Sequence, residues 1–186
     1  MWRRGSYVML GLMHLEELAA EHEPLFLAMT AEADPSRDDF FGQSKAWTPA
    51  IFQKFVKETQ KLRLDWRPGP NKVSVTHYVM REKGGPICAS GLMRFPLDEK
   101  TTEIDGGNLV CYVSPSLRQR GYGSYCMSLM LFEAVRAGLS RVLVTCLASD
   151  KWARRMIEKN RGTPQDTVES KSRKGEKIAR YWINFR

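Results

Sequence analysis

The stretch VCYVSPSLRQRGYGSY, Val110 to Tyr125, is where the reading of this chain begins. An apolar strand runs into a basic, glycine-punctuated turn, Arg118-Gln119-Arg120-Gly121-Tyr122-Gly123, and the turn opens directly into a long apolar segment of helical character. A helix start leaves its first backbone N–H groups unpaired and carries a partial positive charge. With Arg118 and Arg120 beside those amides, the turn has the makings of a phosphate cradle. Side chains at Gly121 or Gly123 would hold a pyrophosphate away from the donors, so glycine is expected at both positions. The dinucleotide-binding alternative needs three glycines at G-x-G-x-x-G spacing after a first strand and an acidic residue about 20 positions on. Here there are two glycines, far along the chain.

Outward from this turn the periodicities define a series of elements. Asn108 to Ser114 reads as a central strand, with Leu109, Cys111 and Val113 on one face and Val110 and Tyr112 on the other, before Pro115 ends ladder pairing. Tyr125 to Ala137 is apolar nearly all round, as a helix packed on a sheet should be, and Gly138 supplies its C-terminal cap. Arg141 to Leu147 is a buried strand. Ser149 or Asp150 caps a helix bearing Trp152, Ala153, Met156 and Ile157 that stops near Asn160-Arg161-Gly162. Asp166 to Ser170 and Ile178 to Phe185 form a closing hairpin.

Upstream, Ser6 to Met13 fits a strand, and His14 to Ala33 fits one or two helices with Leu15, Leu18, Ala19, Leu25, Phe26 and Met29 on the apolar face. Thr48-Pro49 is an N-cap and first-turn pair opening a helix with Ile51, Phe52, Phe55, Val56 and Leu62 at helical spacing. Lys72 to Glu82 and Pro86 to Phe95 make a hairpin around Lys83-Gly84-Gly85. An acidic connection follows, Leu97 to Gly107, carrying Asp98, Glu99, Glu103 and Asp105.

Composition bounds the rest. At 186 residues and 42% hydrophobic content the chain supports one sizeable core, read as a single domain over 1–186. No apolar run approaches the ~20 residues of a bilayer span. The four cysteines, Cys88, Cys111, Cys126 and Cys146, are widely spaced within apolar segments, which points to a reduced cytoplasmic setting. They form no ligand pattern with His14, His22 or His77, so no metal is expected. A net charge of +8 favours a polyanionic ligand without choosing among nucleic acid, an acidic partner and a phosphorylated cofactor.

The phosphate turn resembles the pyrophosphate motif of the GNAT superfamily of acyl-CoA-dependent N-acetyltransferases: a Gln or Arg, two residues, Gly, one residue, then Gly or Ala. The order strand, helices, hairpin, strand, phosphate loop, helix, strand, helix, hairpin is similar to the whole GNAT fold, an α/β architecture with a mixed twisted sheet flanked by helices. Asp150 to Gly162 resembles the family's Asn-x-x-Ser/Ala helix ending in Glu-Lys and a glycine turn, with Asp150 for Asn, then Ala153, Glu158 and Lys159. Arg180-Tyr181-Trp182-Ile183 is similar to a bacterial predicted-acetyltransferase subgroup.

The resemblance implies that the central strand splays from its neighbour and that Cys111, Tyr112 and Val113 pair with the pantetheine arm of acetyl-CoA. It further implies that Arg118, Gln119, Arg120, Gly121, Tyr122, Gly123 and Ser124 hold the pyrophosphate. The expected activity is transfer of an acetyl group from acetyl-CoA to a primary amine by direct attack in one ternary complex. The expected acceptor is a small molecule, with no membrane partner and with a homodimer left open. Other acceptors stay open, namely an aminoacyl-tRNA or a protein N-terminus, as do a CoA-binding regulatory module and, least favoured, a plain nucleic-acid binder.

Catalysis would need an amine made neutral and a thiolate protonated as it leaves. Where relatives carry a glutamate base early in the central strand this chain has Gly107, and Asp105 and Glu103 are the nearest substitutes unless they are simply solvated loop acids. Where relatives place a tyrosine acid this chain has Ile157, leaving Tyr181, a water, or an unassisted thiolate of ordinary pKa about 8.5. Cys111 reads as a core cysteine rather than an acyl-enzyme nucleophile, having no histidine near it in sequence. His77 reads as a strand residue. Trp47, Trp66 and Trp152 read as packing, with Trp47 also placed to line an acceptor pocket.

Overall fold

The computed structural model describes residues 13–33, 46–62, 73–97 and 106–185. Among these, seven strands form one sheet in the order β1-β2-β3-β4-β5-β7-β6, with four α-helices packed on its two faces. The strands are β1 (Met13–Glu17), β2 (Ser74–Glu82), β3 (Ile87–Phe95), β4 (Leu109–Val113), β5 (Arg141–Leu147), β6 (Thr163–Glu169) and β7 (Lys177–Asn184). The helices are α1 (Glu23–Ala31), α2 (Pro49–Leu62), α3 (Tyr122–Arg136) and α4 (Lys151–Lys159). Every neighbouring pair is antiparallel except β4 and β5.

The alternation of β3 and β4 sorts their side chains between two cores. Ala89, Met93 and Leu109 face α3 and α4 together with Cys126, Met127, Met130 and Ile157. Gly91 lies on this face too, and the Met130 side chain occupies the place a Cβ would take. On the other face Val79 and Tyr112 pack with Phe26, Met29, Phe52 and Val56 of α1 and α2.

Several terminations follow the expected chemistry. Thr48 Oγ1 accepts from the Ile51 amide at 3.3 Å, opening α2. Asp150 accepts from the Trp152 and Ala153 amides at 3.0 Å each, opening α4. At the end of α3, Gly138 has φ +71°, and the Gly138 and Leu139 amides donate to the carbonyls of Val135 and Ala134, a left-handed C-terminal cap.

Three expectations are corrected. His14 to Glu17 is strand, not helix: Met13 to Glu17 pairs in register with Glu82 to Tyr78. Its polar residues are held by partners distant in sequence, because Glu16 accepts from Arg81 and from His22 Nε2 at 3.0 Å, while His22 Nδ1 accepts from the Ala19 amide. Burial pushes the Glu16 carboxyl up, but the hydrogen bonds from Arg81 and His22 outweigh it and leave the group below its ordinary range. Second, α3 starts at Tyr122 rather than Tyr125 and is not covered all round, since Phe132 is 63% exposed and Val135 48%. Third, the closing hairpin begins at Thr163, before Asp166, because an edge strand tolerates Pro164 at an irregularity in its pairing. The expected strand over residues 6–12 and most of the acidic connection lie outside the described residues.

Candidate functional site

The parallel seam between β4 and β5 is closed at one end and open at the other. The strands pair only at Leu109 and Val144. Just before that point Asn108, buried, uses both backbone and side chain to join three strands. Its amide donates to the Leu143 carbonyl at 2.6 Å, and its Oδ1 accepts from the Leu143 amide at 2.7 Å. Its Nδ2 donates to the Arg94 carbonyl at 3.0 Å, and its own carbonyl accepts from the Arg94 amide at 2.9 Å. Beyond Leu109, Val110 to Val113 pair with β3 on one edge and have no ladder partner on β5. Such an edge is a template on which an extended amide-bearing chain adds like a strand.

Gly107 sets the entry into β4. Its φ is +59°, and a Cβ there would collide with the Leu143 carbonyl oxygen, so this backbone admits no side chain at the place where the resemblance leads one to expect a glutamate. Asp105 and Glu103, the expected substitutes, lie outside the described residues, as does Trp66.

At the open end the chain turns through a 3-10 segment, Pro115–Leu117, into the loop. Gln119 has φ 63° and Gly121 φ 94° with ψ −11°, and α3 begins at the next residue. Backbone reversals of this kind turn amides into anion-binding concavities, and the first amides of α3 add the positive end of a 15-residue helix. Arg118, Gln119 and Arg120 are exposed around it. Arg118 folds back, its Nε donating to the Val113 carbonyl at 3.2 Å and its guanidinium lying 5.5 Å from the Tyr112 ring centroid. Ser124 sits in the first turn of α3, its carbonyl accepting from Asn160 Nδ2 at 3.2 Å.

The two glycines of the loop have different reasons. At Gly121 a Cβ would meet nothing within 4 Å, and the requirement is the positive φ. At Gly123 a Cβ would lie 2.8 Å from Met156 Sδ and 3.2 Å from Val113 Cγ2, so glycine lets the start of α3 close onto both α4 and β4. Packing thus asks for glycine at Gly123 in addition to the phosphate access expected there. Tyr122 is buried, and burial, with Cys88 and Glu82 adding, raises its hydroxyl pKa.

The remaining groups divide by face. On the α3 side Cys111 Sγ lies 3.9 Å from the Gly123 carbonyl and bonds with Cys126, whose thiol that hydrogen bond and burial push well up. Burial, with Asp150 adding, pushes the Cys146 thiol up to about 12. Tyr181, on β7 opposite Val144, is buried; its hydroxyl accepts from Arg154 Nε at 2.9 Å and donates to Glu158 at 3.3 Å. Ile157 is wholly interior, packed against Gly162.

On the α2 side His77 is buried edge-to-face against Phe55, ring centroids 4.5 Å apart. Burial, followed by the nearby Arg94 charge, lowers its pKa to about 3, so the imidazole is neutral at physiological pH. Trp47 stacks edge-on to both Phe26 and Phe55, at 4.9 and 5.0 Å. Arg94 Nε donates to the Gly107 carbonyl at 2.8 Å.

These geometries, a seam open beyond one residue pair and a glycine-turned helix start at its mouth, coincide with a family assignment. The family model described as "Acetyltransferase (GNAT) family" matches residues 43–163. The chain belongs to this family. It is therefore an acyltransferase, and its mixed sheet with flanking helices is the GNAT fold. Among curated proteins none matches the chain in sequence. Among solved structures it is similar to an N-acetyltransferase from Staphylococcus aureus Mu50, at 16% identity and TM-score 0.65 over 92% of this chain and 98% of that one. It is also similar to the Salmonella typhimurium acetyl transferase that modifies the N-terminal serine of ribosomal protein L7/L12, at 10% identity and TM-score 0.72 over 94% and 96%. A third likeness is to yncA of Salmonella typhimurium, solved with its cofactor acetyl-CoA, at 12% identity and TM-score 0.63 over 92% and 93%. At these identities the likeness is one of fold.

Three residues of this GNAT site went unnoticed in the sequence. Asn108 pins the seam. Arg94 stands beside it and is the only charged residue in the run Pro86 to Phe95, which is a legible signal. Glu32, just past α1, accepts from Ser114 Oγ at 2.7 Å and the Ser116 amide at 3.1 Å, tying α1 to the turn that leads into the loop Arg118 to Ser124; these hydrogen bonds lower its pKa.

Proposed function

We propose that this GNAT protein is an N-acetyltransferase that moves an acetyl group from acetyl-CoA to a primary amine by direct attack in one ternary complex. The observation that carries this reading is the open β4 edge, continuous with the loop Arg118 to Ser124. The backbone of Cys111, Tyr112 and Val113 offers an extended amide-bearing arm its hydrogen bonds, and the amides of Gly121 to Ser124 with Arg118 and Arg120 offer a pyrophosphate its donors. Bound acetyl-CoA supplies an activated thioester, with the thiol as leaving group.

Direct attack is favoured by the surroundings of Cys111, which meets a carbonyl and a protonated thiol rather than a base. Tyr181 is the proposed proton donor to the departing sulfur, its hydroxyl oxygen held between Arg154 and Glu158. Asp105 is the proposed acceptor of the ammonium proton, and Asp105→Asn should then lower kcat and move the acidic limb of the pH profile. The four cysteines are free thiols, which suits a reducing cytoplasm.

The test is an amine-panel assay with acetyl-CoA that scores free thiol release. Amine-dependent release supports the reading. No release with any amine, peptide N-terminus or aminoacyl-tRNA, despite bound acetyl-CoA, would leave the regulatory module instead.

A further inference from the structure

Arg94 is a charge in the wrong place for a scaffold. It lies on the face of β3 that carries Val79's partner Ser90 and His77's partner Leu92, the face toward α2, and its backbone is bonded to Asn108 at the closed end of the seam. The guanidinium is half-buried, and a Cβ on Gly106 would collide with it. Its one hydrogen bond among the described residues is from Nε to the Gly107 carbonyl, which leaves the forked terminal nitrogens. None of the ion pairs among the described residues includes it.

A cation partly withdrawn from water without a counter-charge is unfavourable, and burial lowers the Arg94 pKa accordingly. Its neighbour His77 is neutral and supplies no compensation. Phe55 and Trp47 extend the same wall as aromatic surface. A fork of this kind matches a carboxylate in planar, two-point fashion.

We propose that Arg94 binds a carboxylate on the acceptor, so that the substrate class is a small amine bearing a carboxylate close to the amino group, as in an α-amino acid, with Phe55 and Trp47 beside its side chain. This rests on the acetyltransferase reading above. The residue is a specificity determinant: it fixes the acceptor at the closed end of the seam, where Asn108 and the Leu109–Val144 pair end the open groove.

The test uses acceptor pairs that differ only by the carboxylate, such as phenylalanine against phenethylamine and methionine against 3-methylthiopropylamine. Calorimetric binding, with and without CoA, and thiol release are measured on the wild type, R94K, R94Q and R94M. At least one amino acid should bind the wild type about tenfold or more tightly than its decarboxylated partner, as a two-point charged hydrogen bond requires. R94M and R94Q should lose that preference while keeping the amine's own affinity and the stabilisation by acetyl-CoA; R94K should keep part of it. If R94M fails to fold, R94Q, which retains a donor for the Gly107 carbonyl, carries the comparison. No carboxylate preference in the wild type across the panel, or equal weakening of both members of each pair in R94Q, would overturn the proposal and leave Arg94 a clamp on Gly107. Failure of acetyl-CoA to stabilise the wild type would strike the acetyltransferase reading separately, and the binding arm without CoA would still decide the role of Arg94.

Discussion

The two faces of strands β3 and β4 are built from alternate residues of the same few segments, yet they follow opposite rules. Toward α3, Ala89, Gly91, Met93, Leu109 and Cys111 meet a helix that is apolar on that side, and the thiols they meet are uncharged. Toward α2, β2 presents a buried histidine against Phe55, and β3 presents a half-buried arginine bonded to the Gly107 carbonyl. Burying such groups costs stability, and a fold retains them where they do something else. On the function proposed above, one face is scaffold for the phosphate loop and the other is the face on which the acceptor is recognised. The seam between β4 and β5 joins them, and Asn108 holds its closed end.

The largest effect is expected where the two faces share a support. Asn108→Ala removes the acceptor for the Leu143 amide and the donor to the Arg94 carbonyl, both in the interior. Leaving two such groups unpaired should cost about 3 kcal/mol, a fall in Tm of roughly 6 to 12 °C for a domain of this size. Thermal unfolding followed by circular dichroism measures it. An unchanged Tm with lost acetyl-CoA binding would instead put Asn108 on the ligand's side of the comparison.

Next is a pH signature confined to the α2 face. The folded protein keeps His77 neutral down to about pH 3, whereas an unfolded chain protonates it near 6.5. Unfolding therefore takes up a proton between those values, so the stability His77 contributes is full above pH 6.5 and is lost as pH falls toward 3. The slope approaches about 1.4 kcal/mol per pH unit. Among the described residues Glu16, Glu32 and Asp166, whose folded pKa values are all lowered, act below their ordinary range and leave pH 4.5 to 6.5 to His77. Urea unfolding across that window should show the slope in the wild type and its loss in His77→Gln; a slope that survives would mean the imidazole is not held neutral.

On the scaffold face, Gly121→Val tests whether the loop's backbone or its charge holds the cofactor. There is room for the side chain, since a Cβ meets nothing within 4 Å, but φ 94° disfavours any branched residue by about 1 to 3 kcal/mol. The loop should relax to another conformation, so that acetyl-CoA's stabilisation of the fold weakens by tenfold or more in apparent Kd, on the order of 1.4 kcal/mol, with modest change in the ligand-free Tm. An undiminished shift would take the pyrophosphate away from this loop.

What was legible follows the same division. The scaffold face obeys periodicity, so β5 was readable at Arg141–Leu147, the faces of β4 by alternation, and the caps at Thr48, Asp150 and Gly138 by residue type. His14 to Glu17 misled because Glu-rich sequence favours helix, while the contacts that make it a strand come from Arg81, 65 residues from Glu16. Asn108 was passed over as an ordinary strand start, its side-chain partner Leu143 being 35 residues away, and Glu32 is 82 residues from Ser114. The packing reason for Gly123 is hidden from the sequence because Met156, whose sulfur a Cβ there would meet, belongs to another helix. Arg94, also passed over, is the one of these with a signal in the sequence itself, as the single charge in an apolar strand.

The smallest effect is expected at the residue most easily mistaken for a nucleophile. Cys111 stands on the proposed donor strand, but its sulfur faces the scaffold side, 3.9 Å from the Gly123 carbonyl and hydrogen-bonded to the free thiol of Cys126. A covalent route would need a base to take its proton, and His77 is on the opposite face of the sheet, neutral and packed on Phe55. Cys111→Ala should therefore keep most of kcat, with intersecting rather than parallel double-reciprocal lines. Its cost should be confined to packing, about 1 kcal/mol for a small side chain beside a close-packed helix. Intact-mass measurement of the wild type mixed with acetyl-CoA alone should show no added acetyl group on Cys111; a stoichiometric adduct, with parallel kinetics, would make the α3 face catalytic and end the division between the two faces.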